Sequence, residues 1–140
     1  MAAAIACKSH VSGKRSGKLL TTAQTVSFWG GVDPAKGIIN DPRHELFEES
    51  IVGKVLAFPY GKGSTGTPMV ILELVRVKKA PAALVLMEAD PLLLSGPIIA
   101  RHFYGEIIPV VTVKSEGFQL LKTGLHAVVD GFKGEVTINP

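Results

Sequence analysis

The chain has 140 residues, of which 46% are hydrophobic and 19% charged, and its formal net charge is +3. This length suffices for one compact core, and we predict a single domain over residues 1–140. The small charge and the scattered lysines and arginines do not favour nucleic-acid binding, but they are compatible with an anionic substrate or an acidic partner.

The sequence shows neither a membrane segment nor a metal-ligand pattern. No run approaches the ~18 apolar residues of a membrane span, and the apolar residues 1–7 are too short for a signal peptide, so we predict a cytoplasmic protein. Cys7 is the only cysteine. The chain therefore cannot form an internal disulfide, nor by itself supply the several thiolates that an iron–sulfur cluster or a structural zinc ion usually takes.

The first fifty residues predict short strands and a tight corner. Residues 3–11 and 18–22 are predicted as two strands joined by a polar, glycine-containing loop. A third strand, 25–29, ends in Trp29, which we expect to pack its ring over the Gly-Gly backbone that follows. That corner, Gly30-Gly31-Val32-Asp33-Pro34, has the glycine pair and the Asp-Pro step of a tight turn.

Residues 41–49 carry charges of both signs and show no sustained hydrophobic period, which predicts a surface loop. His44 lies in this loop. We interpret it as a solvated histidine, although its place in a loop would also allow it to reach a site.

The most distinctive segment is Pro59-Tyr60-Gly61-Lys62-Gly63-Ser64-Thr65-Gly66-Thr67-Pro68. It lies between a predicted strand, 55–58, and a predicted helix, 69–77. Its glycines permit close approach of the backbone to a bound group. We expect Ser64, Thr65 and Thr67 to be able to cap the helix that Pro68 starts. Free amides, a positive helix end and one lysine would suit a carboxylate or a phosphate.

The same segment is also compatible with a tight connection that binds nothing. Its lysine precedes the second glycine, unlike that of a P-loop. Gly61, Gly63 and Gly66 match the spacing of a dinucleotide fingerprint, but no acidic residue is found where the next strand would need one.

The second half of the chain predicts alternating strands and helices. The apolar run 82–87 is typical of a strand buried on both faces, and Glu88 and Asp90 follow at its carboxyl end, where open α/β sheets bind ligands. Asp90 before Pro91 is also a good helix cap. A helix over 92–104, interrupted at 95–97, follows.

A strand at 107–113 and a short helix at 115–121 are then predicted, before a closing hairpin over 127–138. The element order predicts a mixed α/β fold with strand-rich ends.

Three motifs together resemble the small subunit of the aconitase X family: Ser27-Phe28-Trp29-Gly30-Gly31-Val32-Asp33-Pro34, Gly61-Lys62-Gly63-Ser64-Thr65, and the segment from Glu88 to Gly96. The similarity extends from about Ile5 to Ile138. It implies a swivelling β/β/α domain with mixed sheets and flanking helices. It also implies a large subunit that carries an iron–sulfur cluster of four irons and four sulfurs, and a dehydratase active only as the two-chain complex.

The resemblance also implies roles for residues. Ser64 matches the family's catalytic serine, thought to act as an alkoxide base, with Gly61, Lys62, Gly63 and Thr65 binding the substrate. Gly30, Gly31, Asp33, Glu88 and Asp90 are further candidates for the cleft. Because a serine hydroxyl is a very weak acid, the loop amides, the helix end and Lys62 would have to stabilise the oxyanion.

The substrate and even the class of function stay open at this point. Archaeal family members resemble mevalonate 5-phosphate dehydratases, which form trans-anhydromevalonate 5-phosphate for isoprenoid synthesis, and the glycine segment favours them. The bacterial members resemble cis-3-hydroxy-L-proline dehydratases, and the segments after Asp90 and Phe103 favour those. A faint similarity of 95–111 to phosphohistidine carrier domains lacks the histidine. A scaffold subunit without catalysis is the third alternative.

Overall fold

The computed structural model describes residues 3–62 and 64–139. The strands are β1 (Ala3–Ala6), β2 (Lys8–Val11), β3 (Lys14–Thr21), β4 (Val32–Asp33), β5 (Ile38–Ile39), β6 (Val55–Ala57), β7 (Ala83–Leu86), β8 (Val110–Thr112), β9 (His126–Asp130) and β10 (Glu135–Asn139). The helices are α1 (Phe28–Gly31), α2 (Thr67–Arg76), α3 (Pro91–Tyr104) and α4 (Ser115–Phe118). Both α1 and α4 span only four residues.

Eight strands form one mixed sheet in the order β1-β10-β9-β3-β6-β7-β8-β2. The neighbours from β3 through β6 and β7 to β8 are parallel, and the remaining pairs are antiparallel. In the sequence only Cys7 separates β1 from β2, yet these two strands lie at opposite ends of the order. The sheet must therefore curl until its edges approach each other, which makes it nearly closed.

The central parallel strands are buried on both faces because two hydrophobic clusters flank them. Leu56 and Leu84 belong to the cluster that includes the buried side chains of α2 and α3. Val55 and Val85, one residue away in each strand, belong to the cluster inside the curled sheet. Successive side chains of a strand point to opposite faces. The double burial predicted for the strand within 82–87 is therefore confirmed.

The helices α2 and α3 pack closely on one face of the sheet. A Cβ built at Gly96 of α3 would come to 3.0 Å from Ile71 of α2. A glycine at the crossing lets the two backbones approach. This packing places the first turns of both helices at the carboxyl ends of β6 and β7, which are parallel neighbours.

Four local predictions are wrong. The predicted strand 3–11 is two strands, β1 and β2, which lie at opposite ends of the sheet order. Residues 14–17 are not a loop but the start of β3, which pairs with β9 rather than with β2. Gly17 is needed there, since a Cβ would come to 2.5 Å from the Gly53 carbonyl oxygen. Residues 25–29 form no strand, only an isolated bridge from Val26 to Gly61 before the turn α1. The helix α3 is continuous, because Pro97 is accommodated within it.

Several other predictions are confirmed, with ends shifted by a few residues. The strand before the glycine segment, the helix after it and the closing hairpin correspond to β6, α2 and the pair β9–β10. Asp130 holds the hairpin turn, because its Oδ1 accepts backbone N–H bonds from Phe132 and Lys133, each at 3.0 Å. The predicted mixed α/β architecture with flanking helices is confirmed.

Candidate functional site

The glycine segment joins β6 to α2 and leaves the start of α2 without a side-chain cap. Gly66 occupies the N-cap position, and Pro68 lies in the first turn, as predicted. The prediction that Ser64, Thr65 or Thr67 caps the helix is wrong. Because the cap residue has no side chain, the positive end of α2 is uncompensated by a carboxylate: its first turn has no acidic residue.

Ser64 lies half-buried in the loop just before this helix end. Its Oγ accepts a hydrogen bond from the Gly66 backbone N–H at 3.2 Å, and its carbonyl oxygen accepts one from Thr67 at 3.1 Å. Lys62 and Thr65 on either side are exposed. Gly63, a predicted substrate-binding residue, lies outside the described residues. The hydroxyl is thus held at the start of α2 by one donor that would also stabilise an oxyanion.

Trp29 lies directly over the glycine segment. A Cβ built at Gly66 would overlap the indole ring, so only glycine fits beneath it. Trp29 packs over a glycine, as predicted, but that residue is Gly66 and not Gly30 or Gly31. Around a Cβ at Gly30 there is no atom within 4 Å. Two motifs that are distant in the sequence therefore form one surface, and the indole remains 56% exposed.

One cleft, of about 620 Å³, opens beside this surface. We name it the Arg43 cleft. Its lining includes Trp29, Gly30, Gly31, Arg43, His44 and Lys62. The structure thus brings together three predicted site residues: the two glycines of the corner and Lys62.

His44 is a fixed part of this cleft, so its interpretation as a solvated histidine is wrong. Its Nδ1 accepts a hydrogen bond from the Leu46 backbone N–H at 3.0 Å, and its Nε2 lies 3.0 Å from the Thr25 carbonyl oxygen. Because Nδ1 accepts, Nε2 must carry the proton that it donates to Thr25. Through the bond to Thr25 the imidazole ties the loop 41–47 to the chain before α1.

A second cleft, of about 500 Å³, lies on the other side of Gly61. We name it the Asp90 cleft. Its lining includes Lys8, His10, Tyr60, Gly61, Glu88 and Asp90. It opens at the carboxyl ends of the parallel strands, where ligands bind in open α/β sheets.

The carboxylates of the Asp90 cleft are not equivalent. The Oδ1 of Asp90 accepts a hydrogen bond from the Leu93 backbone N–H at 2.9 Å, which confirms its prediction as the cap of α3. Glu88 is exposed. His10 lies 2.9 Å from the Thr112 hydroxyl, and burial, with a smaller contribution from Lys8, lowers the pKa of its imidazole.

Asp33 lies outside the described lining of both clefts. Its Oδ1 accepts a hydrogen bond from the Ala35 backbone N–H at 2.9 Å and so stabilises the turn between β4 and β5. The predicted site residues within the described ranges therefore do not form one site. Gly30, Gly31 and Lys62 line the Arg43 cleft, and Gly61, Glu88 and Asp90 line the Asp90 cleft. Asp33 lies at this turn, and Ser64 and Thr65 line neither cleft. Arg43 was not among the predicted site residues; the only signal for it was a cation beside the Asp-Pro step of the loop.

The family model described as aconitase X swivel domain matches residues 4–138. The chain belongs to the aconitase X swivel-domain family. The phosphomevalonate dehydratase small subunit of Pyrococcus furiosus is 42% identical over 128 residues, which cover 91% of this chain and 90% of that protein. The crystal structure of Thermococcus kodakaraensis aconitase X in its holo form superposes with a TM-score of 0.87 at 37% identity, covering 99% of each chain.

A more distant relative of this swivel domain is the cis-3-hydroxy-L-proline dehydratase of Hypocrea jecorina, which is 36% identical over 123 residues. The matched residues are 88% of this chain and 21% of the fungal protein. The fungal dehydratase thus contains a related segment within a much longer chain.

The donor set of this swivel domain does not fit an iron–sulfur cluster. Such clusters are held mainly by several cysteine thiolates, and the sequence offers Cys7 alone. Burial, followed by the charges of Asp130 and Glu135, raises the pKa of the Cys7 thiol and so disfavours the thiolate that ligates metal. Over residues 3–62 and 64–139, no three His, Cys, Asp or Glu side chains cluster as a metal site.

Within those same ranges, none of the helices has the length and apolar character that crossing a membrane requires.

Proposed function

We propose that this chain is the small subunit of a phosphomevalonate dehydratase, a hydro-lyase that forms trans-anhydromevalonate 5-phosphate from mevalonate 5-phosphate. The support is the archaeal relative of that name, which matches along nine-tenths of both chains. The family membership and the structural match to an aconitase X are consistent with this activity.

The observation that carries the proposal is the hydroxyl of Ser64 at the uncapped start of α2. A dehydration removes a proton from one carbon and a hydroxyl from its neighbour, so it needs a base near the substrate. In the proposed mechanism the Ser64 alkoxide takes the proton onto its Oγ, and the cluster of the large subunit would, when bound, supply the Lewis acid that accepts the departing hydroxyl. The Gly66 N–H, 3.2 Å from Oγ, and the positive end of α2 stabilise that alkoxide.

Other residues of the same segment bind the substrate in this proposal. Lys62 supplies a positive charge next to the base, and Gly61 allows the substrate to approach the backbone. Gly63 and Thr65 are assigned to the substrate by the same segment. Gly30 and Gly31 extend the surface into the Arg43 cleft. Glu88 and Asp90 belong to the Asp90 cleft, and Asp33 shapes the turn beyond α1.

We propose that the cofactor is bound by the partner subunit and not by this chain. A four-iron, four-sulfur cluster would be bound by a large subunit, because this chain lacks the thiolates for it. Trp29, Tyr60 and Met69 expose 56%, 49% and 66% of their area around the glycine segment. Exposed apolar groups of this kind suit a surface that a partner covers. We propose a heterodimer in which the large subunit closes over this surface.

The test is to reconstitute the two-chain enzyme and assay it with mevalonate 5-phosphate and with cis-3-hydroxy-L-proline. We expect dehydration of the phosphorylated substrate, detected by mass spectrometry as a product lighter than the substrate by one water. Dehydration of hydroxyproline alone would favour the second candidate, for which the fungal relative is the supporting observation. Full activity of a Ser64→Ala complex would instead favour a scaffold subunit.

A further inference from the structure

The two clefts beside Gly61 differ in the sign of their charge. The described lining of the Arg43 cleft contains two cations, Arg43 and Lys62, against one carboxylate, Asp41. The described lining of the Asp90 cleft contains one lysine, Lys8, against the two carboxylates Glu88 and Asp90. An anionic group is therefore attracted to the first cleft and repelled from the second.

Arg43 forms an ion pair with its neighbour Asp41, and its side chain nevertheless stays exposed. The Oδ1 of Asp41 accepts the Arg43 backbone N–H at 3.0 Å and lies 3.7 Å from Nε. The Arg43 side chain is 93% exposed, which leaves its guanidinium open to a ligand. A guanidinium offers two parallel donors that match the oxygens of a phosphate.

The loop that carries Arg43 is held in place by hydrogen bonds, and the corner at Gly30 on the other side of the cleft leaves space for a ligand. The Nε2 of His44 ties the Arg43 loop to Thr25, and its Nδ1 bonds to Leu46 within the loop. On the corner side, Gly30 has φ +81, and no atom lies within 4 Å of the point that a Cβ would occupy there. A cleft of about 620 Å³ is within the usual size of a small-molecule site.

We infer that the Arg43 cleft binds the phosphate group of the substrate, and that Arg43 is the residue by which this enzyme prefers a phosphorylated substrate to hydroxyproline. The inference rests on the proposed dehydratase function. It assigns the two ends of the substrate: the phosphate lies between Arg43 and Lys62, and the carbon that loses its proton lies toward Ser64.

The first test measures KM and kcat of the two-chain enzyme with mevalonate 5-phosphate for three variants. Arg43→Gln should raise KM about ten- to a hundredfold, the effect of a lost charge-assisted hydrogen bond, and should leave kcat within about twofold. Arg43→Lys keeps the charge but loses the paired donors, so its KM should lie between those of the wild type and Arg43→Gln. Lys8→Gln removes a cation from the other cleft and should leave KM unchanged.

The second test does not depend on activity. Inorganic phosphate is titrated into the full chain, and backbone amide shifts are followed by NMR. We expect shifts at Gly30, Gly31 and Lys62 that are lost in Arg43→Gln and retained in Lys8→Gln.

The two tests separate failure of this inference from failure of the proposed function. An unchanged KM in Arg43→Gln, or a raised KM in Lys8→Gln instead, overturns the inference while the dehydratase activity stands. If the wild-type complex dehydrates neither substrate, the proposed function fails. The NMR titration then still shows whether the Arg43 cleft binds phosphate. Shifts at Lys8 and His10, or at neither cleft, then overturn the inference.

Discussion

Two neighbouring strand-to-helix connections of this fold differ in how the helix begins: one helix start is capped by a side chain, and the other is not. The strands β6 and β7 are parallel neighbours, they lead through loops of nine and four residues into the helices α2 and α3, and each helix has a proline in its first turn. The helix after β7 is capped by the carboxylate of Asp90, which accepts the Leu93 N–H at 2.9 Å. The helix after β6 has Gly66 at the same position and no side-chain cap.

The difference indicates what each connection is for. A capping carboxylate satisfies a backbone donor and offsets the positive charge of the helix end, which stabilises the fold but leaves less attraction for a ligand. An uncapped start forgoes that stabilisation and keeps its positive potential for an anion. In our account the Asp90 connection is structural and the Ser64 connection is catalytic. The predictions below test this contrast.

The largest expected effect is that of Ser64→Ala on catalysis. Loss of a general base should lower kcat about a hundred- to ten-thousandfold. The melting temperature should fall by only a few degrees, since the variant loses one loop hydrogen bond, of about 1 kcal/mol. Ser95→Ala is the matched control, because Ser95 only donates to the Leu92 carbonyl within α3. Equal kcat values for the two variants would show that Ser64, between β6 and α2, has no catalytic role.

The next effect is steric and concerns Gly66→Ala. The new methyl would overlap the Trp29 ring, so we expect a loss of about 1–3 kcal/mol in the free energy of unfolding, together with lower activity as the loop shifts. Denaturant unfolding measures it. Gly31→Ala is the control for stability, because its methyl would make only an ordinary contact with Ser27 at 3.5 Å.

A double variant sharpens this test. Trp29→Ala removes the ring, so the two substitutions together should destabilise less than the sum of the single ones. Strict additivity would mean that the ring and Gly66 do not press on each other in solution.

A smaller effect is expected at the capped connection. Asp90→Ala should cost about 1 kcal/mol of unfolding free energy, as loss of an N-cap does. Asp90→Asn should retain most of the stability, because an amide oxygen can accept the same Leu93 N–H. Thermal unfolding of the two variants measures this. A stable Asp90→Asn enzyme that has lost its activity would show that the charge serves the cleft, which contradicts the structural role.

The smallest expected effect is a change in the pKa of the Glu73 carboxyl. The hydrogen bonds from Arg76 to Glu73, at 2.5 and 2.8 Å, lower the pKa of the Glu73 carboxyl below its usual value. Any stability from this pair is therefore present above the ordinary carboxyl pKa and is lost as the pH falls through the lowered one. NMR titration should show the lowered pKa and its return toward the usual value in Arg76→Gln. An unchanged pKa in that variant would mean that Arg76 is not what lowers the pKa of the Glu73 carboxyl.

The sequence predicted well those features that local patterns determine. The apolar run of β7 and the closing hairpin have signals within a few residues, and the first turns of α2 and α3 are marked by Pro68 and Pro91. The strand within 14–17 could not be predicted, because its formation depends on pairing with β9 and on contact with Gly53, both far along the chain.

The same distinction applies to the candidate site. The glycine segment was evident from its composition, and Asp90 from its place before a proline. The position of Trp29 over Gly66 and the bonds that fix His44 depend on contacts between distant residues. Arg43 became a candidate only when the structure placed its loop beside Lys62. Side chains that reach a site from a separate loop carry no local signal.

The most direct measurement is a crystal structure of the Ser64→Ala two-chain enzyme with mevalonate 5-phosphate bound. Our account predicts that the reacting carbon lies against the methyl group of residue 64, within reach of the hydroxyl that the wild type would place there, and that the phosphate lies beside Arg43. A substrate whose reacting carbon lies against Asp90 or Glu88, with the start of α2 facing away from it, would contradict the account.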